Sequence, residues 1–130
     1  MQGLHLISDL RGVVPTLAVM LDTDALRQLL LLAVRDAGLH AVGEAFHRFP
    51  APGGVTGVVL LAEWHVAVHT WPELGAVTVD VYVCNAQADN HSAAVALQAA
   101  LEAAFAPCSA ERQRVLRGLG AAAAATSAGV

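Results

Sequence analysis

The clearest structural pattern in the chain is the stretch Ala76-Val77-Thr78-Val79-Asp80-Val81-Tyr82-Val83-Cys84. Valine occupies every second position, and polar or reactive side chains stand between the valines. Because successive side chains of a β-strand point to opposite faces, this alternation predicts a strand with one face in a hydrophobic core. The other face then carries the hydroxyl, carboxylate and thiol groups.

Further strands are predicted on both sides of this one, from dense β-branched and apolar residues bounded by glycine and proline. They are Leu4–Leu10, His40–Phe49, Val55–Ala62, His65–His69 and a short last strand at Gln113–Leu116. In His65–His69 the two histidines and Ala67 share one face.

Two helices are predicted from apolar residues at helical spacing. The first follows a cap at Asp22 or Asp24 and ends at Gly38. The second follows a cap at Asp89, Asn90 or Ser92, and its predicted buried stripe is Leu97, Ala100, Leu101, Ala104 and Phe105. Strands surrounding two helices predict an α+β fold, a two-layer sandwich of a mainly antiparallel sheet with two helices on one face. The polar sheet face is left for a ligand or a second subunit.

Composition restricts the class of protein. The chain has 130 residues, a net charge of −4 and 56% hydrophobic residues, and all seven of its basic residues are arginine. We predict neither a nucleic-acid nor a membrane partner, because a basic patch and an apolar run of roughly 18 residues are both missing. Cys84 and Cys108 make no disulfide framework, and the start of the chain lacks the features of a signal peptide. The expectation is a cytoplasmic protein with one domain, residues 1–118, and a disordered alanine-rich tail, residues 119–130.

No metal site is predicted. His65 and His69 would share a face of a helix, but on a strand four residues span about 13 Å, which is too far for one ion without further ligands.

The segment 54–73, which ends in His69-Thr70-Trp71-Pro72-Glu73, resembles the self-cleavage region of the prokaryotic S-adenosylmethionine decarboxylase proenzymes, a pyruvoyl-dependent family. Three other blocks are similar to the family in the same order. They are Leu4–Gly12, Phe46–Phe49 and Val79–Cys84. The resemblance extends to about Gly118, and four ordered blocks are more specific than one short motif.

In this family, a serine that follows a glutamate cleaves the backbone and becomes a pyruvoyl group, which accepts electrons during decarboxylation. Here the residue after Glu63 is Trp64. An indole has a single N–H donor and no hydroxyl or thiol that could attack the preceding carbonyl. We therefore expect no self-cleavage and no pyruvoyl cofactor in this divergent member.

The resemblance implies roles for five retained positions. Cys84 matches the cysteine that returns a proton to the substrate, and His69 matches the self-processing histidine. Thr56 replaces an assisting serine with its hydroxyl retained. Glu73 matches the acid that binds ribose hydroxyls, and Phe49 stands where an adenine-stacking ring is expected.

Structural interpretations remain open beside these roles. Cys84 can be a buried inert thiol, and Glu73 a solvated turn residue. Trp64 can fill the pocket in which the family holds its pyruvoyl group and substrate, or offer its ring face to a cation such as a sulfonium or a polyamine.

The resulting hypothesis is a non-catalytic homologue, related to spermidine and polyamine biosynthesis, that binds an S-adenosylmethionine-like or polyamine ligand or regulates another protein. The resemblance implies a homodimer, or a pair with an active paralogue. The alternative is an enzyme with pyruvoyl-independent activity that uses Cys84 and His69. A purely structural oligomerisation module is the third possibility.

Overall fold

A computed structural model describes residues 2–85 and 89–118. Six antiparallel strands form a single sheet in the order β2-β3-β4-β5-β1-β6. They are β1 (Gln2–Arg11), β2 (Ala41–Arg48), β3 (Val55–Leu61), β4 (Trp64–Trp71), β5 (Ala76–Cys84) and β6 (Ser109–Gly118). The predicted α+β fold with a mainly antiparallel sheet is confirmed.

Three helices cover one face of this sheet. They are α1 (Ala18–Leu21), α2 (Thr23–Asp36) and α3 (His91–Phe105). Helix α2 packs on β2 and β3, and α3 packs on β1 and β5. The short α1 was not predicted, because four residues are too few to show a helical period. The opposite side of the sheet carries no helix among the described residues, and we call it the open face.

The core lies between the helices and the sheet. Val77, Val79, Val81 and Val83 of β5 are fully buried there, as the alternation of the strand predicts. The core is completed by leucines and valines of β1 and β4 and by the apolar stripes of the helices. Its largest fully buried side chains include Leu4, Leu10, Met20, Leu26, Leu30, Leu97, Leu101 and Phe105.

Helix α2 begins where the sequence predicts. The Asp22 carboxylate accepts a hydrogen bond from the Asp24 backbone N–H at 3.3 Å, which satisfies one of the unpaired donors of the first turn. At the start of α3 the Asp89 carboxylate accepts from the His91 N–H at 2.9 Å.

The structure differs from two local predictions. Ala100 and Ala104 of α3 are exposed, and Gln98 and Glu102 are buried in their place. The predicted short last strand is the ten-residue β6, which pairs with β1 along its whole length. Its arginines and glutamate hid the strand pattern, because β6 is an edge strand whose side chains are mostly exposed.

Within the described residues, no helix is long and apolar enough to cross a membrane. The predicted tail, residues 119–130, lies outside the described part of the chain.

Candidate functional site

Polar and aromatic side chains project from the centre of the open face. On β1 and β5, Nε2 of His5 lies 3.0 Å from the Asp80 carboxylate, and the His5 ring lies 5.3 Å from that of Tyr82. His65 on β4 contacts the same tyrosine ring at 5.6 Å. The guanidinium of Arg117 on β6 lies 4.6 Å from the Tyr82 ring centroid. Four neighbouring strands thus supply one cluster around Tyr82.

The pKa of His65 is lowered by its surroundings. Partial burial disfavours the charged imidazolium, and the electrostatic effects of His5 and Arg117 act in the same direction, while Asp80 opposes them. The imidazole of His65 is therefore more readily neutral than an exposed histidine.

The turn between β3 and β4 is held by His40. The Glu63 carboxylate accepts from the His40 backbone N–H at 3.0 Å, and its second oxygen lies 2.6 Å from His40 Nδ1. The Ala62 N–H donates to the His40 carbonyl at 2.8 Å. Burial raises the pKa of Glu63, but the hydrogen bonds from His40 outweigh it and leave the pKa below its ordinary value. The turn therefore has a fixed backbone and an ionised carboxylate.

Trp64 follows this turn with a φ of 135°. This region of backbone space favours glycine and is strained for a bulky side chain. Simple alternation along β4 would put residue 64 on the helix side with Val66 and Val68. Instead the indole meets the Tyr82 ring edge-on at 4.4 Å and lies against Gly3. The positive φ turns the indole onto the open face.

Gly3 makes room for these rings. A Cβ at this position would lie 2.7 Å from Tyr82 Cε1 and 3.1 Å from Trp64 Cζ3. Any larger residue at position 3 would displace one of the two rings.

Cys84 lies beside the same turn. Its backbone N–H donates to the Glu63 carbonyl at 2.9 Å, and its register partner on β1 is Gly3. We call Glu63, Trp64, Tyr82 and Cys84 the hairpin cluster. The structure brings three sequence-predicted residues together in it, and Tyr82 is an addition.

A separate pocket of about 420 Å³ opens at the other end of β4. It is lined by Phe49, Gly53, Gly54, Thr56, His69, Thr70, Trp71 and Glu73. We call it the aromatic pocket. Four sequence-predicted residues, Phe49, Thr56, His69 and Glu73, lie in it.

Hydrogen bonds and ring contacts order the walls of the aromatic pocket. The Thr56 hydroxyl lies 3.0 Å from His69 Nδ1, across the β3–β4 register. The His69 and Trp71 rings are 6.1 Å apart, and His47 packs edge-on against Phe49 at 4.6 Å. Phe49 and Trp71 remain partly exposed, at 46% and 38%. The pocket therefore offers two aromatic surfaces, a hydroxyl–imidazole pair and a carboxylate.

The buried Thr70 lines this pocket and links the chain segments around it. Its hydroxyl donates to the Met20 carbonyl and accepts from the Val55 N–H, each at 2.8 Å. These bonds join α1 to the start of β3. Gly54 touches the Thr70 backbone so closely that no Cβ would fit there.

The hairpin cluster and the aromatic pocket do not meet within one chain. Trp64 and His69 are five residues apart on β4, which is about 16 Å along a strand. His69 pairs with Thr78, six residues before Cys84 on β5. Within one chain, Cys84 and His69 therefore lie too far apart to form the thiol–imidazole pair of the alternative hypothesis.

Sequence reasoning missed three contributors to these sites. Trp71 received no predicted role of its own, although it continues the alternation of His65, Ala67 and His69 and so could have been found from the pattern. Tyr82 was assigned only to the polar face. Gly3 gave no signal, because its role depends on two rings that come from other strands.

The fold and the two sites define a small α+β protein with a ligand-sized aromatic pocket on the open face of its sheet. The family model described as S-adenosylmethionine decarboxylase matches residues 4–117. The chain therefore belongs to the S-adenosylmethionine decarboxylase family, as the motifs predicted.

Similar proteins agree with this assignment. The S-adenosylmethionine decarboxylase proenzyme of Aquifex aeolicus is 48% identical over 83 residues, which is 63% of this chain and 58% of the relative. That of Pyrococcus abyssi is 40% identical over 91 residues, covering 70% and 63%. The crystal structure of the Aquifex aeolicus adenosylmethionine decarboxylase superposes with a TM-score of 0.79 at 36% identity, covering 91% of this chain and 92% of that one. In the sequence comparisons, the matched segment spans under three-fifths of the first relative's length.

Proposed function

We propose that this chain is a non-catalytic member of its family that binds an S-adenosylmethionine-like nucleoside and acts in polyamine biosynthesis as a binding or regulatory protein. The observation that carries the proposal is Trp64 at the position of the pyruvoyl-forming serine, in a protein whose aromatic pocket is formed.

The residues at the hairpin cluster do not fit a pyruvoyl group. That group is made from a serine of the chain itself, and residue 64 has an indole packed on Tyr82 and Gly3. The Glu63 carbonyl accepts the Cys84 N–H, but no hydroxyl follows it to attack. We derive no decarboxylation step for this chain.

The aromatic pocket supports nucleoside binding. Phe49 and Trp71 present ring faces on which a base can stack. Glu73 is exposed at the rim, where a carboxylate accepts hydrogen bonds from the two hydroxyls of a ribose. A volume of about 420 Å³ lies at the lower end of the range for small-molecule sites, roughly 300–1,000 Å³.

We also propose that two copies pair through the open face. Trp64 and Trp71 stand at opposite ends of β4, with Ala67 near its centre. A two-fold axis that passes this centre parallel to the sheet and perpendicular to β4 exchanges the ends, and so places the hairpin cluster of each copy against the aromatic pocket of the other. Apolar side chains exposed on this face, including Leu60 at 50%, favour such burial. An active paralogue with the same face is the regulatory version of this partner.

Two measurements test the proposed function. Intact mass spectrometry should give one species near 13.4 kDa, and two fragments separated between Glu63 and Trp64 would contradict the loss of self-cleavage. Isothermal titration with adenine nucleosides, S-adenosylmethionine and polyamines should show saturable binding of a nucleoside. Absence of heat with every one of these compounds would remove the ligand-binding proposal.

The Trp64→Ser variant tests whether this one substitution accounts for the loss of self-cleavage. We expect partial self-cleavage, because the Glu63 carbonyl already accepts an N–H donor and residue 64 already has a positive φ. Trp64→Ala is the matched control, since it removes the indole without supplying a hydroxyl and should stay uncut. A folded serine variant that remains a single chain would show that other residues have also diverged.

A further inference from the structure

The hairpin cluster contains a large side chain whose position is fixed, although no chemistry uses it. The Trp64 indole is held by the Tyr82 ring, by the absence of a side chain at Gly3 and by the backbone of a turn clamped to His40. Tyr82 is in turn contacted by His5, His65 and Arg117. The indole is therefore a rigid wall and not a mobile side chain.

Within its own chain this wall bounds no part of the aromatic pocket, which lies about 16 Å away along β4. In the proposed open-face pair it would bound the pocket of the second copy, because the proposed two-fold axis brings the end of β4 that carries Trp64 onto the end that carries His69 and Trp71. An aromatic side chain buries about 150–250 Å² in all. Part of the indole is already packed on Tyr82 and Gly3, and the rest of the ring is available for this contact.

The aromatic pocket also restricts the charge of its ligand. Among its lining residues the carboxylate is Glu73, and there is no lysine or arginine, so His69 is the one lining side chain that can become cationic. A ligand with a phosphate or a carboxylate deep in the pocket would have no permanently charged cationic partner from this lining, and burying an unpaired charge is costly.

We propose that the Trp64 indole of a second copy closes the aromatic pocket and selects a purine nucleoside with a short, uncharged 5′ substituent over one with an amino-acid tail. This inference rests on the proposed function and its dimer. It makes Trp64 a specificity-determining residue, distinct from its loss as a nucleophile. The base and the ribose occupy the pocket, and the indole fills the space into which a longer tail would extend.

The test is isothermal titration of the full chain with two probes, 5′-methylthioadenosine and S-adenosylmethionine. Three variants accompany the wild type. Trp64→Ala removes the wall, and Trp64→Gly does so with a residue that suits the positive φ, in case the alanine variant folds poorly. Val95→Ala is the control, because it removes an exposed apolar side chain from α3, on the side of the protein away from the open face, and leaves the indole in place.

We expect the wild type and Val95→Ala to bind the short nucleoside at least about tenfold more tightly than S-adenosylmethionine, a ratio within reach of a steric pocket. In both Trp64 variants the affinity for S-adenosylmethionine should rise about tenfold, while that for the short nucleoside changes by less than about threefold.

Three outcomes would overturn the inference. Equal affinity of the wild type for both probes would show that the indole does not select. An unchanged ratio in the Trp64 variants would place selection elsewhere. Binding that appears for both probes only after Trp64 is removed would make the indole a plug of the whole pocket. If no variant binds either probe, the proposed function itself fails, and this result is distinct from the other three.

Discussion

Trp64 combines a favourable contact with an unfavourable backbone. The indole packs on Tyr82, but a φ of 135° is costly for any residue with a Cβ. Replacement by alanine or by glycine removes the same contact, and only glycine also removes the strain. We expect Trp64→Gly to be more stable than Trp64→Ala by about 1 kcal/mol, the reverse of the usual order within a strand. Urea denaturation of the two variants measures the difference, and equal or reversed stabilities would contradict it.

His65 should make folding depend on pH in the mildly acidic range. Its pKa in the folded protein lies below the ordinary 6.5, so the unfolded chain takes up the proton first as the pH falls. The contribution of His65 to stability is fully present above about pH 6.5, and it decreases as the pH falls toward the folded-state pKa. Urea denaturation across this range should show the decrease in the wild type and a flatter profile in His65→Gln.

A second loss of stability, at a lower pH and caused by two glutamates, serves as the internal control for this variant. The pKa values of Glu63 and Glu102 lie below the ordinary 4.5 in the folded protein, so their contributions are lost as the pH falls through that value and below. His65→Gln should leave this lower branch unchanged. A variant with the wild-type slope near pH 6 would show that His65 is not responsible.

At the scale of elements, a buried polar network fastens edge strand β6 to helix α3. The Ser8 hydroxyl donates to Glu102 at 2.8 Å, and Gln98 donates to Ser8 at 2.7 Å. Arg112 of β6 contacts the same carboxylate through both Nε and a terminal nitrogen. Burial raises the pKa of Glu102, but Arg112 and Ser8 lower it further than burial raises it. One carboxylate therefore connects three elements.

Removal of this carboxylate should loosen β6 selectively. We expect Glu102→Ala to lower the free energy of unfolding by about 2 kcal/mol, the size of a lost hydrogen bond to a charged group. Amide exchange in β6 should accelerate more than in β4. Glu111→Ala, at an exposed position on β6, is the control and should change stability by less than about 0.5 kcal/mol. Equal effects of the two substitutions would show that the network does not fasten the strand.

A comparison of β5 with α3 shows how far the sequence could predict the fold. The alternating valines of β5 are buried on one side by helices, so a local pattern reports a tertiary fact. The buried Glu102 and Gln98 of α3 broke the expected stripe, because their partners Ser8 and Arg112 lie far away in sequence. The site followed the same rule. The motifs predicted candidate site residues, but not that these residues divide into two groups at opposite ends of β4.

At the scale of the whole molecule, the division of the site predicts a dimer whose contact centre is Ala67. Ala67→Arg places two guanidinium groups close together near the two-fold axis, where they repel each other and demand hydration. We expect the wild type to sediment at twice 13.4 kDa and the variant as a monomer. Val95→Arg, on the exposed side of α3, is the control and should remain a dimer. A dimeric Ala67→Arg would place the interface on another surface.

The placement of the aromatic residues also gives the protein its own spectroscopic reporters. The chain has two tryptophans and one tyrosine. Trp64 stands 4.4 Å from Tyr82 in the hairpin cluster, a distance at which tyrosine excitation passes efficiently to the indole, and Trp71 lines the aromatic pocket. Each end of the open face therefore carries a separate fluorophore. In Trp64→Phe the remaining tryptophan emission comes from Trp71 alone, so the occupancy of the pocket can be followed by selective tryptophan excitation without a label.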